Sequence, residues 1–245
     1  MQLLHLGDLE LTLPLAAAAG AWMLAARAWR AAGVWAVLYG GVIALVGGSK
    51  IAYLGWGLDI AVLDFKAFSG HAAGVTAVYP VLAYLLCRPI GRGSALTAAC
   101  AGLVLGMVVT VALVAHDEHA VAEAAAGWML GAMASIGTMY QAEYRSGKQS
   151  HYPAGYRAGY RAGYRAENPA ENRAENQAEN QAENQAEHRA GPRGLTHGPA
   201  SAACAVAVFL ASASLMQSAH VNYWMIRIAL ALSGNAQPYS WDTCG

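Results

Sequence analysis

Long apolar stretches separated by short polar ones dominate the chain. Six such runs stand between charged residues: Leu11–Ala26, Ala31–Ser49, Ala67–Cys87, Gly93–Ala115, Ala124–Ala142 and Gly198–Ala219. A helix crossing the hydrocarbon core of a bilayer needs about 20 residues. The first run is short at 16 residues, and Arg27 and Arg30 can snorkel and extend it. The pattern therefore predicts an all-α integral membrane bundle of about six transmembrane helices. Ala, Gly and Ser are abundant in the runs, as in Gly40-Gly41 and Gly47-Gly48, and small residues let membrane helices approach closely. After the sixth run, 220–232 carries one arginine and a Tyr223-Trp224 pair. It either extends the last span or lies along the membrane interface, where such aromatics gather.

Composition agrees once it is divided by region. The 245 residues are 56% hydrophobic and 12% charged, with a mean hydropathy of +0.31. An average soluble domain carries about 25% charged residues. Half of the charge sits in 141–197, leaving the rest of the chain far more apolar than the average implies. A soluble enzyme, a nucleic-acid binder and a secreted disulfide scaffold are excluded. Cys87, Cys100, Cys204 and Cys244 show no paired spacing and no Cys-x-x-Cys, so neither a zinc nor a redox motif is supported. The first eleven residues hold Asp8 and Glu10 and no basic residue, unlike a cleaved signal peptide.

Three regions follow: a membrane core with spans one to five over 1–140, a low-complexity loop over 141–198, and the sixth span with an interfacial tail over 199–245. In the loop, Ala-Gly-Tyr-Arg occurs three times over 154–165 and Ala-Glu-Asn-x continues to 187. A four-residue period with almost no aliphatic content cannot offset its ordering entropy by packing, so this loop is expected to be disordered. Six spans divide the connections between two sides. Arg27, Arg30, Arg88, Arg92 and the repeat segment fall on one, and Lys50, Lys66 and Arg227 on the other. Basic residues favour the cytoplasm. The repeat is thus expected inside and both termini outside, in an inner membrane of a bacterium with its polar cluster toward the periplasm.

That cluster is the chemical signal. Lys50 ends the second run and His71 opens the third after Ser69-Gly70. His116, Asp117, Glu118, His119 and Glu123 separate the fourth and fifth. The alternating path brings all of them to one face. Ser69 can cap a helix, and Gly70 lets an anion approach its free N–H groups. His119 and Glu123, four residues apart, share a face of a helix. A carboxylate there fixes the imidazole tautomer and leaves the other nitrogen free to attack. With Lys50 as a cation, the set suits transfer of a tetrahedral anion such as phosphate.

At these residues the chain resembles the type 2 phosphatidic-acid phosphatase superfamily. That family's signature runs Lys-x6-Arg-Pro, then Pro-Ser-Gly-His, then Ser-Arg-x5-His-x3-Asp. Lys50 opens the first block, Phe68-Ser69-Gly70-His71 is similar to the second, and His119-x3-Glu123 is similar to the third, over about residues 45–135. The resemblance implies His119 as the nucleophile, Glu123 as its orienting group and His71 as the acid for the leaving oxygen. Lys50, Ser69, Gly70 and Lys66 would surround the phosphate. It implies a lipid phosphate or diphosphate as substrate, membrane lipids as the surroundings, and no metal or other cofactor. The departures are specific. Gly57-Leu58 stand where Arg-Pro is expected, and Ala112-Leu113 where Ser-Arg is expected. Lys66 and Arg227 are the cations available as replacements. A rival reading is a catalytically silent relative that binds lipid phosphate or serves as a scaffold.

Overall fold

The computed structural model describes residues 4–150, 199–218 and 221–239, and among these it is helical throughout, without a strand. A 3-10 turn, Leu4–Gly7, leads into α1 (Leu9–Ala25), α2 (Trp29–Trp56), α3 (Gly70–Cys87), α4 (Arg92–Ala115) and α5 (Val121–Ser150). Two further helices follow, α6 (Pro199–Ser218) and α7 (Val221–Ser233). The expected repeat loop lies almost wholly outside the described residues, although α5 runs on to Ser150, past the boundary expected at 140.

Among the described residues three helices, α2, α3 and α4, are long and apolar enough to cross a membrane. A fourth span is formed if α6 and α7, bent by 59° at their junction, count as one. Length and hydropathy alone do not yield the expected six. Helix α1 has 17 residues, and α5 carries Glu123 in its first turn. The outer faces of α2 and α4 leave large apolar side chains uncovered, including Val37, Leu45, Val104 and Val111. Apolar surface on that scale marks contact with lipid or with another protein.

Helix α3 is the centre of the bundle. Eleven of its 18 residues are buried, against α1, α4 and α5. Its contact with α5 rests on Gly127-x3-Gly131. A β-carbon at Gly127 would stand 2.5 Å from the Ser69 carbonyl oxygen, and one at Gly131 2.5 Å from that of Ala73. Neither position has room for a side chain, so the two backbones touch. Such spacing of small residues lets membrane helices pack by van der Waals contact where lipid offers no hydrophobic drive.

Polar ties hold this pair at both ends. At one end Glu143 of α5 accepts from the Tyr84 hydroxyl (2.7 Å) and pairs with Arg92 Nε (2.8 Å) and Arg88 Nε (3.6 Å). At the other end stands Glu123. Helix α2 differs from expectation: it does not stop at Ser49 but continues to Trp56, closed by Gly57 in the left-handed conformation. Lys50 is therefore inside the helix rather than at its end. The tail returns to this closure, with the Tyr239 N–H on the Leu54 carbonyl (3.0 Å) and the Asn235 amide on that of Gly55 (2.6 Å).

Candidate functional site

A cavity of about 1500 Å³ opens among α1, α2, α3, α7 and the α4–α5 connection. Lys50, Lys66, Gly70, His71, Asp117, Glu118, His119 and Glu123 all line it. One face of the bundle thus gathers most of the residues expected to converge. His116 and Ser69 are not in the lining. Ser69 is fully buried beneath it, where its hydroxyl accepts from the Ala72 N–H at 3.4 Å and caps α3. His71 is the second residue of that helix, so the cap fixes where its ring emerges.

Glu123 organises the floor. It is only 4% exposed, and a buried carboxylate needs donors. One oxygen accepts from His119 Nδ1 at 2.8 Å. The other accepts the main-chain N–H groups of Lys66 (2.9 Å) and Ala67 (3.2 Å). The Glu123 carbonyl also receives the Ser69 N–H at 3.2 Å. A single residue therefore orients His119 and fastens the segment that leads into α3. Ser49 adds a second tie: its hydroxyl accepts the Phe68 N–H at 3.2 Å. The helix expected to carry both His119 and Glu123 starts only at Val121. His119 lies in the connection before it, and the four-residue spacing still closes the contact.

With Nδ1 engaged, His119 has Nε2 left for chemistry. Its ring is tilted 56° to that of His71, with 6.5 Å between centroids. Both histidines belong to the lining of the same cavity. Lys50 and Lys66 supply the positive charge of the lining. Lys66 thus belongs to the lining and also donates its N–H to Glu123. Arg227 does not reach the cavity. Its guanidinium donates to the Tyr223 hydroxyl at 3.1 Å and lies over that ring, exposed. Among the described residues no group of three or more His, Cys, Asp or Glu is arranged to hold a metal ion.

Two features escape sequence reasoning. Asp8 Oδ1 stands 3.0 Å from His71 Nε2, while Oδ2 stands 2.9 Å from His5 Nδ1. The only sequence signal for this was two acids, Asp8 and Glu10, before the first run on the side assigned to the cluster. The main-chain donors to Glu123 gave no signal, because any residue type supplies them.

The comparisons with known proteins are sparse. No protein-family model matches the chain, and no solved structure matches it. It is similar to an "Uncharacterized 22.5 kDa protein in cps region" of Klebsiella pneumoniae, with 37% identity over 130 residues. The match covers 53% of this chain and 62% of that protein.

Proposed function

We propose that this chain is a bacterial membrane phosphoesterase that hydrolyses a lipid phosphate or diphosphate through a phosphohistidine intermediate. The observation that carries the reading is the pair of neighbouring imidazoles, one of them held through Nδ1 by a buried carboxylate. Nε2 of His119 attacks phosphorus and forms the P–N bond. The P–O bond to the lipid breaks, and the leaving oxygen takes a proton from His71. Water then attacks the phosphohistidine. A new P–O bond forms, the P–N bond breaks, and His71 recovers a proton from the water. Glu123 keeps His119 in the tautomer that attacks and stabilises the positive ring that follows. Lys50 and Lys66 attract the phosphate oxygens, and the start of α3 adds its N–H groups at Gly70.

The six-span arrangement belongs to this reading, with α1 and α5 as spans beside the more apolar helices and α7 along the interface. The site then faces the periplasm and the repeat loop the cytoplasm, as the distribution of arginines favours.

One observation favours a second reading, a silent relative that binds lipid phosphate without turnover. Among the described residues the cavity lining has two lysines and no arginine, and Arg227 is engaged elsewhere. A lysine is a point charge and does not grip two oxygens as a guanidinium does. The test is phosphate release from phosphatidic acid and a polyprenyl diphosphate by the purified full chain, with His119→Ala and His71→Ala beside it. Turnover lost in both variants supports the enzyme. Absence of release from either substrate, or release unchanged in both variants, overturns it. Lipid-phosphate binding without release, lost in His71→Ala, selects the second reading.

A further inference from the structure

We propose that Asp8 is the positioning residue for His71, so that the site contains two neighbouring histidine–carboxylate pairs. The inference rests on the phosphoesterase reading for its catalytic meaning, and on geometry for the pairing itself.

Asp8 occupies the N-cap position of α1, where an aspartate ordinarily accepts an N–H of the first turn. Here its side chain makes no such bond. Both carboxylate oxygens are instead directed to imidazoles, His71 at 3.0 Å and His5 at 2.9 Å. The chain leading to Asp8 is held for this. Gly7 packs on the backbone of His71, where a β-carbon would stand 2.8 Å from its Cα. The Tyr79 hydroxyl, two turns along α3, donates to the Leu6 carbonyl at 3.2 Å. The 3-10 turn is thus fastened across the start of α3, which brings the Asp8 carboxylate to the His71 ring.

Asp8 holds Nε2, which leaves Nδ1 as the nitrogen that exchanges a proton with the reacting oxygen. The charged and titratable groups that share the cavity lining with His71 and Asp8 are Glu10, Lys50, Asp64, Lys66, Asp117, Glu118, His119, Glu123 and Tyr223. Among these Asp8 alone is hydrogen-bonded to the ring. A carboxylate in that place fixes the ring's rotation and its tautomer.

The experiment uses the full chain in detergent with Asp8→Asn and Asp8→Glu. Loss of the partner that orients a metal-bound imidazole typically costs about 10- to 100-fold, and the same scale is taken for Asp8. Asp8→Asn is expected to lower kcat by that factor while KM moves less than about threefold, and Asp8→Glu is expected to regain part of the loss. Histidine-selective 15N spectra report the ring nitrogens directly. In Asp8→Asn the His71 signals should change and those of His119 should not. An unchanged kcat, or unchanged His71 signals, overturns the assignment. A wild-type protein that releases no phosphate defeats the phosphoesterase reading alone, because the ring spectra still decide the pairing.

Discussion

Glu123 divides its carboxylate between chemistry and architecture: Oε2 meets His119 Nδ1 at 2.8 Å, and Oε1 gathers two main-chain N–H groups from the segment before α3. The two duties separate under substitution. Glu123→Gln preserves an acceptor for the main chain and loses the charge beside His119. Its kcat should fall by about 10²- to 10⁴-fold, the scale of an orienting carboxylate in hydrolytic triads, with little change in thermal stability. Glu123→Ala should in addition destabilise the fold by about 1–3 kcal/mol for each stranded N–H. Phosphate release and thermal unfolding, measured on both variants, check this.

Lys50 lines the cavity from within α2. Replacing it with Met keeps the apolar stem and removes the charge. In an enzyme, loss of a preorganised group aimed at the developing charge costs about 10²–10³ in rate. Lys50→Met should show that loss in kcat, read by phosphate release. Wild-type turnover in this variant would remove Lys50 from the site.

Leu113 stands where the resembled signature has arginine. It is 1% exposed and packs with Ala72, Val75 and Val109. Restoring the signature by Leu113→Arg should therefore not raise activity. It should destabilise the protein by about 3 kcal/mol or more, the cost of an uncompensated buried charge. A thermal melt in detergent beside the phosphatase assay decides. A gain in turnover would mean that the position can open to the cavity.

Gly131 has Ala73 and Ala77 backbone atoms within 2.8 Å of where a side chain would begin. Gly131→Leu should force α3 and α5 apart and lower stability by about 1–3 kcal/mol, with the His71–His119 separation and turnover lost together. A variant that keeps its unfolding midpoint would show that the two helices can shift without penalty.

Val62 and Ile90 are 95% and 76% exposed, in the α2–α3 and α3–α4 connections. In a background without the native cysteines, Val62→Cys should react with a membrane-impermeant thiol reagent in intact cells. Ile90→Cys should react only after lysis. The exchanged pattern would reverse the proposed orientation, and equal labelling of both would abolish it.

Much of the site was legible because its residues are chemically rare in an apolar chain. Ser69-Gly70-His71 and His119-x3-Glu123 stand out for that reason, and both segments line one cavity. The extent of α2 was not legible. A lysine looks like the end of a span when polarity is the only guide, yet Lys50 faces a polar cavity and lets the helix continue to Trp56. Helices that are apolar all round carry little periodic signal for which face meets which neighbour. The α3–α5 contact accordingly depends on two glycines that were noticed only as small. Asp8 pairs with a residue 63 positions away, a relation that only the three-dimensional path of the chain creates.

The two acids of α5 have one more consequence. Glu123 and Glu143 each sit in a cluster of donors, twenty residues apart along one helix. At 1.5 Å per residue that is about 30 Å, close to the thickness of a typical hydrocarbon core, about 30 Å. In the membrane reading, α5 is a gauge with a polar stop at each end. A thinner bilayer must be met by tilting the α3–α5 post, and a thicker one by drawing a carboxylate cluster toward the acyl chains. The depth of the His119–Glu123 cluster below the membrane surface is then set by lipid thickness, so in that reading acyl-chain length becomes a variable that acts on this protein from outside its own sequence.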